Sequence, residues 1–77
     1  MPYDSSLDKQ LFTKSWATED TRVTVSVYSY NGGQKKLQIG RENASAEGEW
    51  RFAKLGRLTK DEAQAVLPLI QEGIGNL

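Results

Sequence analysis

Seventy-seven residues with ten basic and ten acidic side chains, and with neither cysteine nor histidine, make one small domain of zero formal net charge. That composition excludes disulfide staples, the usual zinc ligand sets and every catalytic triad or dyad built on histidine or cysteine, so neither an enzyme nor a cofactor nor a small-molecule substrate is expected. A core this small is marginal alone, and pairing of two copies is the remaining common way to enlarge it.

Residues 1–9 read as a flexible N-terminus, followed by a single domain over 10–77. The opening MPYDSSLDKQ holds no apolar run, so no signal peptide, membrane span or membrane partner is expected, and a cytoplasmic location is. LFTKSWATE, Leu11–Glu19, alternates weakly and predicts a first strand. RVTVSVYSY, Arg22–Tyr30, is the clearest strand, with Val23, Val25 and Val27 set between Thr24, Ser26 and Tyr28. KKLQIGRE, Lys35–Glu42, predicts a third strand and EWRFAKL, Glu49–Leu55, a fourth.

From Leu58 the period changes. Ala63, Val66, Leu67, Ile70 and Ile74 form one stripe of a helix, and Thr59 with Glu62 three residues later is a capping box. Pro68 lacks the N–H that would bond the Gln64 carbonyl and predicts a kink, and Gly73 or Gly75 predicts the helix end. Leu69 adds an apolar flank beyond the stripe, so a dimer seam is expected along Val66, Leu67, Ile70 and Ile74. The fold class is therefore α+β: a curved, four-stranded antiparallel sheet followed by one C-terminal helix, dimeric.

YSYNGGQKK, Tyr28–Lys36, fixes which residues share a face. A two-residue turn at Asn31-Gly32 would set Ser26 against Leu37 and split the apolar set. A three-residue loop, with Gly33 in the left-handed region, pairs Val27 with Leu37, Val25 with Ile39 and Val23 with Arg41, and burial selects this register. Tyr28 then faces Lys36 on the opposite side, in line with Tyr30. One helix covers one face, so the tyrosine face is open. In the fourth strand one loop length turns Phe52 into the core opposite Ile39. A loop one residue longer places Ala53 there and turns Trp50 and Phe52 toward the open face; the residues alone leave both readings standing.

Charge is unevenly spread. Residues 22–60 carry a net +5, residues 1–21 a net −2 and residues 61–77 a net −3. Aromatics beside cations are what a single-stranded nucleic-acid platform needs, bases stacking on rings and cations tracking phosphates. The candidates are Tyr28, Tyr30, Lys36, Arg51, Lys54, Arg57 and Trp50. The plainer alternatives are strand propensity for the tyrosines, core packing for Trp50 and Phe52, and a solvated loop for Lys54 and Arg57.

The segment from Lys35 to Ile70 resembles the single-stranded-DNA-binding domain of the transcriptional coactivator positive cofactor four. The matching residues are Lys36-Leu37-Gln38-Ile39 leading to Arg41-Glu42, the turn Glu47-Gly48-Glu49, then Arg51, Lys54, Gly56 and Leu58-Thr59 opening the helix. In outline the likeness covers residues 11–74. It implies two chains paired through their helices, each sheet presenting a channel for unpaired DNA, with Lys36, Arg41, Arg51 and Lys54 on the strand. It also implies a role in transcription regulation. Ala44 stands where the family carries an aromatic, and Pro68 and the neutral total charge are further departures. The functional expectation is single-stranded DNA or RNA binding by the open face of a homodimer. The alternative is a protein-interaction module of the same fold without nucleic-acid binding.

Overall fold

The computed structural model describes residues 5–77. A single 3₁₀ turn, Ser5–Leu7, leads into strands β1 (Asp8–Ala17), β2 (Thr21–Tyr30), β3 (Lys35–Ala44) and β4 (Trp50–Ala53), then helix α1 (Lys60–Ile74). The strands form one antiparallel meander in the order β1-β2-β3-β4, so the expected α+β sheet followed by a C-terminal helix is what the chain forms. The sheet begins earlier than the residue pattern predicts. Asp8 already pairs with Tyr30 and Lys9 with Ser29, so the flexible N-terminus read over 1–9 does not extend to these two residues. Residues 1–4 lie outside the described residues. The first strand also stops sooner, at Ala17, because the Thr18 hydroxyl accepts hydrogen bonds from the backbone N–H of Asp20 at 3.3 Å and Thr21 at 3.2 Å and turns the chain.

The β2–β3 register is the one that burial selects. Val27 opposes Leu37, Val25 opposes Ile39 and Val23 opposes Arg41. The turn that delivers it differs from expectation. Asn31 and Gly32 hold the positive φ angles, 51° and 70°, and Gly33 does not. The Gly33 N–H donates to the Tyr30 carbonyl at 2.8 Å, closing a tight turn on two left-handed residues. Gly33 is thus the extra residue that shifts the pairing by one, tied down by the Ser29 hydroxyl donating to its carbonyl at 2.8 Å.

Val23, Val25, Val27 and Val66 are fully buried, and Phe12, Leu37, Ile39, Leu55, Leu69 and Ile70 pack around this core. Each buried valine contributes about 1.5–3 kcal/mol by leaving water. The helix lies over β1 and β2. Its capping box is formed, the Glu62 N–H donating to the Thr59 hydroxyl at 3.1 Å and the Thr59 N–H to the Glu62 carboxylate at 2.9 Å. The helix runs to Ile74 with Pro68 on its exposed side. Gly73 does not end it. An ideal Cβ at Gly73 would come within 2.8 Å of a Leu37 methyl and 3.4 Å of a Val25 methyl, so glycine lets the last turn touch the sheet. The end is Gly75, in right-handed geometry with φ −62°.

The helix is rotated from its predicted stripe. Glu62, Val66, Leu69, Ile70 and Gly73 face the sheet, while Leu67 is 55% and Ile74 59% exposed. No helix among the described residues is long and apolar enough to cross a membrane.

Candidate functional site

Strand alternation sorts the sheet into two faces. Phe12, Lys14 and Trp16 from β1, the three valines from β2, and Leu37, Ile39 and Arg41 from β3 share the helix-covered face. Thr13, Ser15, Arg22, Thr24, Ser26, Tyr28 and Tyr30 share the other with Lys36, Gln38, Gly40 and Glu42. β4 pairs Ala53 with Arg41, Phe52 with Glu42 and Trp50 with Ala44. This decides the facing that the residues leave undecided. Trp50 and Phe52 stand on the open face, as the longer loop predicts, and Ala53 is on the covered side opposite Arg41, two residues further along β3 than the Ile39 position that loop gives it. The β3–β4 loop holds this register through the Ser45 N–H donating to the Glu49 carbonyl at 2.7 Å and the Gly48 N–H to the Ser45 carbonyl at 2.9 Å. Gly48 supplies the φ of 82° that the turn requires.

The open face has two adjoining hollows. The larger, about 510 Å³, is lined by Tyr28, Tyr30, Lys36 and Gln38 among others, with Asp8 at its β1 side. The smaller, about 200 Å³, shares Tyr28 and Gln38 and continues over Gly40 to Glu42 and Phe52. Phe52 is 83% exposed, the most exposed of the large apolar side chains among the described residues. The floor is stiffened from β1. Thr13 and Ser26 share a hydroxyl–hydroxyl bond of 3.0 Å, and Ser15 and Thr24 one of 2.8 Å.

An ion pair and an aromatic ring close one end. The Arg22 Nε and Nη2 both donate to Glu42 Oε1, at 2.9 and 2.6 Å, and the guanidinium lies 4.8 Å from the Trp50 ring centre. One face of Trp50 is thereby occupied by the protein's own cation, a contact worth about 0.5–1 kcal/mol where water still reaches it.

Arg41 corrects the resemblance. Its side chain lies under the helix, with 12% exposure, and every nitrogen is engaged. Nη1 donates to Glu62 at 2.6 Å and to the Thr21 hydroxyl at 2.9 Å. Nη2 donates to the other Glu62 oxygen at 3.1 Å, and Nε to the Leu55 carbonyl at 3.1 Å. It anchors the β4–α1 connection and the helix N-terminus and offers nothing to a phosphate. The pair also sets its members' acidity. Hydrogen bonds from Arg41 and from the Thr59 backbone hold the Glu62 carboxyl at about 2 against its ordinary 4.5, and the Glu62 hydrogen bond raises the Arg41 pKa.

The remaining sequence candidates disperse. Lys36 is exposed on the open face beside Tyr28. Arg51 pairs with Asn43, on the opposite side of β4 from Phe52, and reaches Glu49 at 3.9 Å. Lys54 and Arg57 are exposed in the segment between β4 and α1. In the expected seam, Val66 is a core residue at 1% exposure with no surface left for a second copy, and Ile70 is half-buried against the sheet. Leu67 and Ile74 form the exposed remainder. Arg22 and Glu42 are the site residues that residue patterns miss, and Phe52 is one whose facing they leave undecided. The strand alternation around Thr24, Ser26 and Tyr28 was the available signal for Arg22. Compared with protein-family models, curated proteins and solved structures, the chain shows no match.

Proposed function

We propose that the open sheet face binds single-stranded nucleic acid, bases stacking on Tyr28, Tyr30, Phe52 and the free side of Trp50, with Lys36 pairing a phosphate. The observation that carries the reading is Phe52, an apolar ring 83% exposed on the face that the helix leaves uncovered and that already carries two tyrosines beside a lysine. A ring left in water contributes little to the fold, and every base has a π-face to lay on it. The two adjoining hollows give a strand a continuous path from Tyr30 to Phe52.

A homodimer joined along Leu67 and Ile74 belongs to the same reading, because two copies would cover these exposed side chains. A role in transcription is what the likeness to the coactivator family adds.

Titration with a fluorescent thymine 12-mer at low salt tests the proposal. Phe52→Ala should lower affinity by about 1–3 kcal/mol and leave thermal stability nearly unchanged. Lys36→Ala should reduce the slope of log affinity against log salt by about one. Absence of binding below about 100 μM, the strong end of ordinary non-specific contact being tighter than this, refutes it. The face would then be a protein-interaction surface, a reading favoured by its balanced charges, with Glu42 and Asp8 opposing Arg22 and Lys36.

A further inference from the structure

We infer that the smaller hollow is a pocket for one guanine base, a selective position within an otherwise sequence-neutral path; this rests on the nucleic-acid reading of the open face. Its size is the first argument. About 200 Å³ accommodates one nucleobase and not two. Gly40 makes that room, since an ideal Cβ there meets no heavy atom within 4 Å, and its backbone is not in the left-handed region where glycine would be needed. A glycine in mid-strand weakens a sheet, and close approach of a ligand is one of its uses.

The polar groups are the second argument. Both Arg22 hydrogen bonds to Glu42 land on Oε1, and no described protein donor reaches Oε2. A carboxylate accepts and never donates. It therefore selects a base edge with adjacent N–H groups, and guanine alone presents two, at N1 and N2. Gln38, also lining the hollow, has an amide N–H₂ to give to guanine O6. Adenine offers one amino group beside an acceptor that a carboxylate repels, cytosine does the same, and thymine has a single N–H. The Thr24 and Ser26 hydroxyls on the floor each share one hydrogen bond with a β1 hydroxyl. Arg22 neutralises Glu42, so the carboxylate does not repel the neighbouring phosphates.

The third argument is placement. Tyr28 stands at one end of the hollow and Phe52 at the other, so a base seated between them continues the stack on either side.

The test uses thymine 12-mers with one central guanine, inosine, adenine or cytosine, read by fluorescence anisotropy with the full chain. The guanine oligomer should bind roughly tenfold tighter than all-thymine, within the discrimination of one good two-bond base contact. Inosine, lacking N2, should lose most of that gain. Gly40→Val fills the space with a residue strands favour, so it should keep the fold, checked by thermal melting, and lose the difference between the guanine and all-thymine oligomers. Glu42→Gln should abolish it as well. Equal affinity for all five oligomers overturns the pocket and leaves the stacking face intact, whereas no binding by any of them overturns both. Adenine matching guanine overturns the reading of the base edge. Guanosine monophosphate binding as tightly as the oligomer overturns the strand as its occupant.

Discussion

Protonating Glu62 should unlatch the helix from the sheet. Its carboxyl is buried against Arg41, with two hydrogen bonds from the guanidinium and one from the Thr59 N–H. A group whose folded pKa lies below its unfolded one stabilises the fold above the unfolded value and loses that contribution as pH falls toward the folded one. Here the window runs from 4.5 down to about 2. At about 1.4 kcal/mol per pH unit this is on the order of 3 kcal/mol, a large fraction of the 5–15 kcal/mol that holds an ordinary domain together. Urea melts at intervals from pH 6 to 2.5 should show stability falling steeply below pH 4.5. Other carboxylates titrate in the same range, so the diagnostic comparison is with Glu62→Gln. That variant starts lower, by about 3–5 kcal/mol, because Arg41 loses the charge partner of a buried pair. Its curve should then be flatter across the window. If Glu62→Gln proves too unstable to melt, carbon NMR of the wild-type Glu62 carboxyl gives its titration directly. A midpoint near 4.5, or parallel pH curves for the two proteins, would refute the reasoning.

Three further outcomes are expected. Gly73→Val should cost about 1–3 kcal/mol by overpacking against Leu37, despite the gain of about 0.5 kcal/mol in helix propensity over glycine; a stabilised variant would show that the last helical turn does not touch the sheet. Gly32→Ala should lower stability by about 1 kcal/mol because its φ of 70° disfavours a Cβ, and a neutral result would refute the turn. Sedimentation at micromolar concentration should give twice the chain mass, and Leu67→Asp with Ile74→Asp should return it to one without altering the chain's own melting; a wild-type monomer removes the seam.

Much of this architecture can be read from residue pattern. The three alternating valines define β2, their need for one buried face sets the β2–β3 register, and Thr59 with Glu62 marks the helix start. Pattern fails where burial is supplied by something other than an apolar side chain. A paired carboxylate and a glycine occupy two positions of the helix face, Glu62 and Gly73, which hydrophobicity assigns to solvent. Arg41 is the converse. Its pairing with Val23 already places it under the helix, but the family likeness sets it on a phosphate, and nothing in the residue pattern shows the buried carboxylate that awaits it. The facing of Trp50 and Phe52 is hidden for a different reason. Aromatic bulk argues for the core, yet the helix lies over β1 and β2, so the fourth strand gains little from pointing its rings that way.

The order of elements has a consequence for synthesis. The sheet is a meander whose neighbours are all consecutive, so its hairpins can close as each strand leaves the ribosome. Its apolar face has no cover until residues 60–74 follow. Between those two moments a nascent chain presents Val23, Val25, Val27, Leu37 and Ile39 as a bare greasy slab, the kind of surface that recruits chaperones or sticks to its neighbours. A message truncated before Lys60 would freeze the chain in that state, and its product should be found in inclusion bodies.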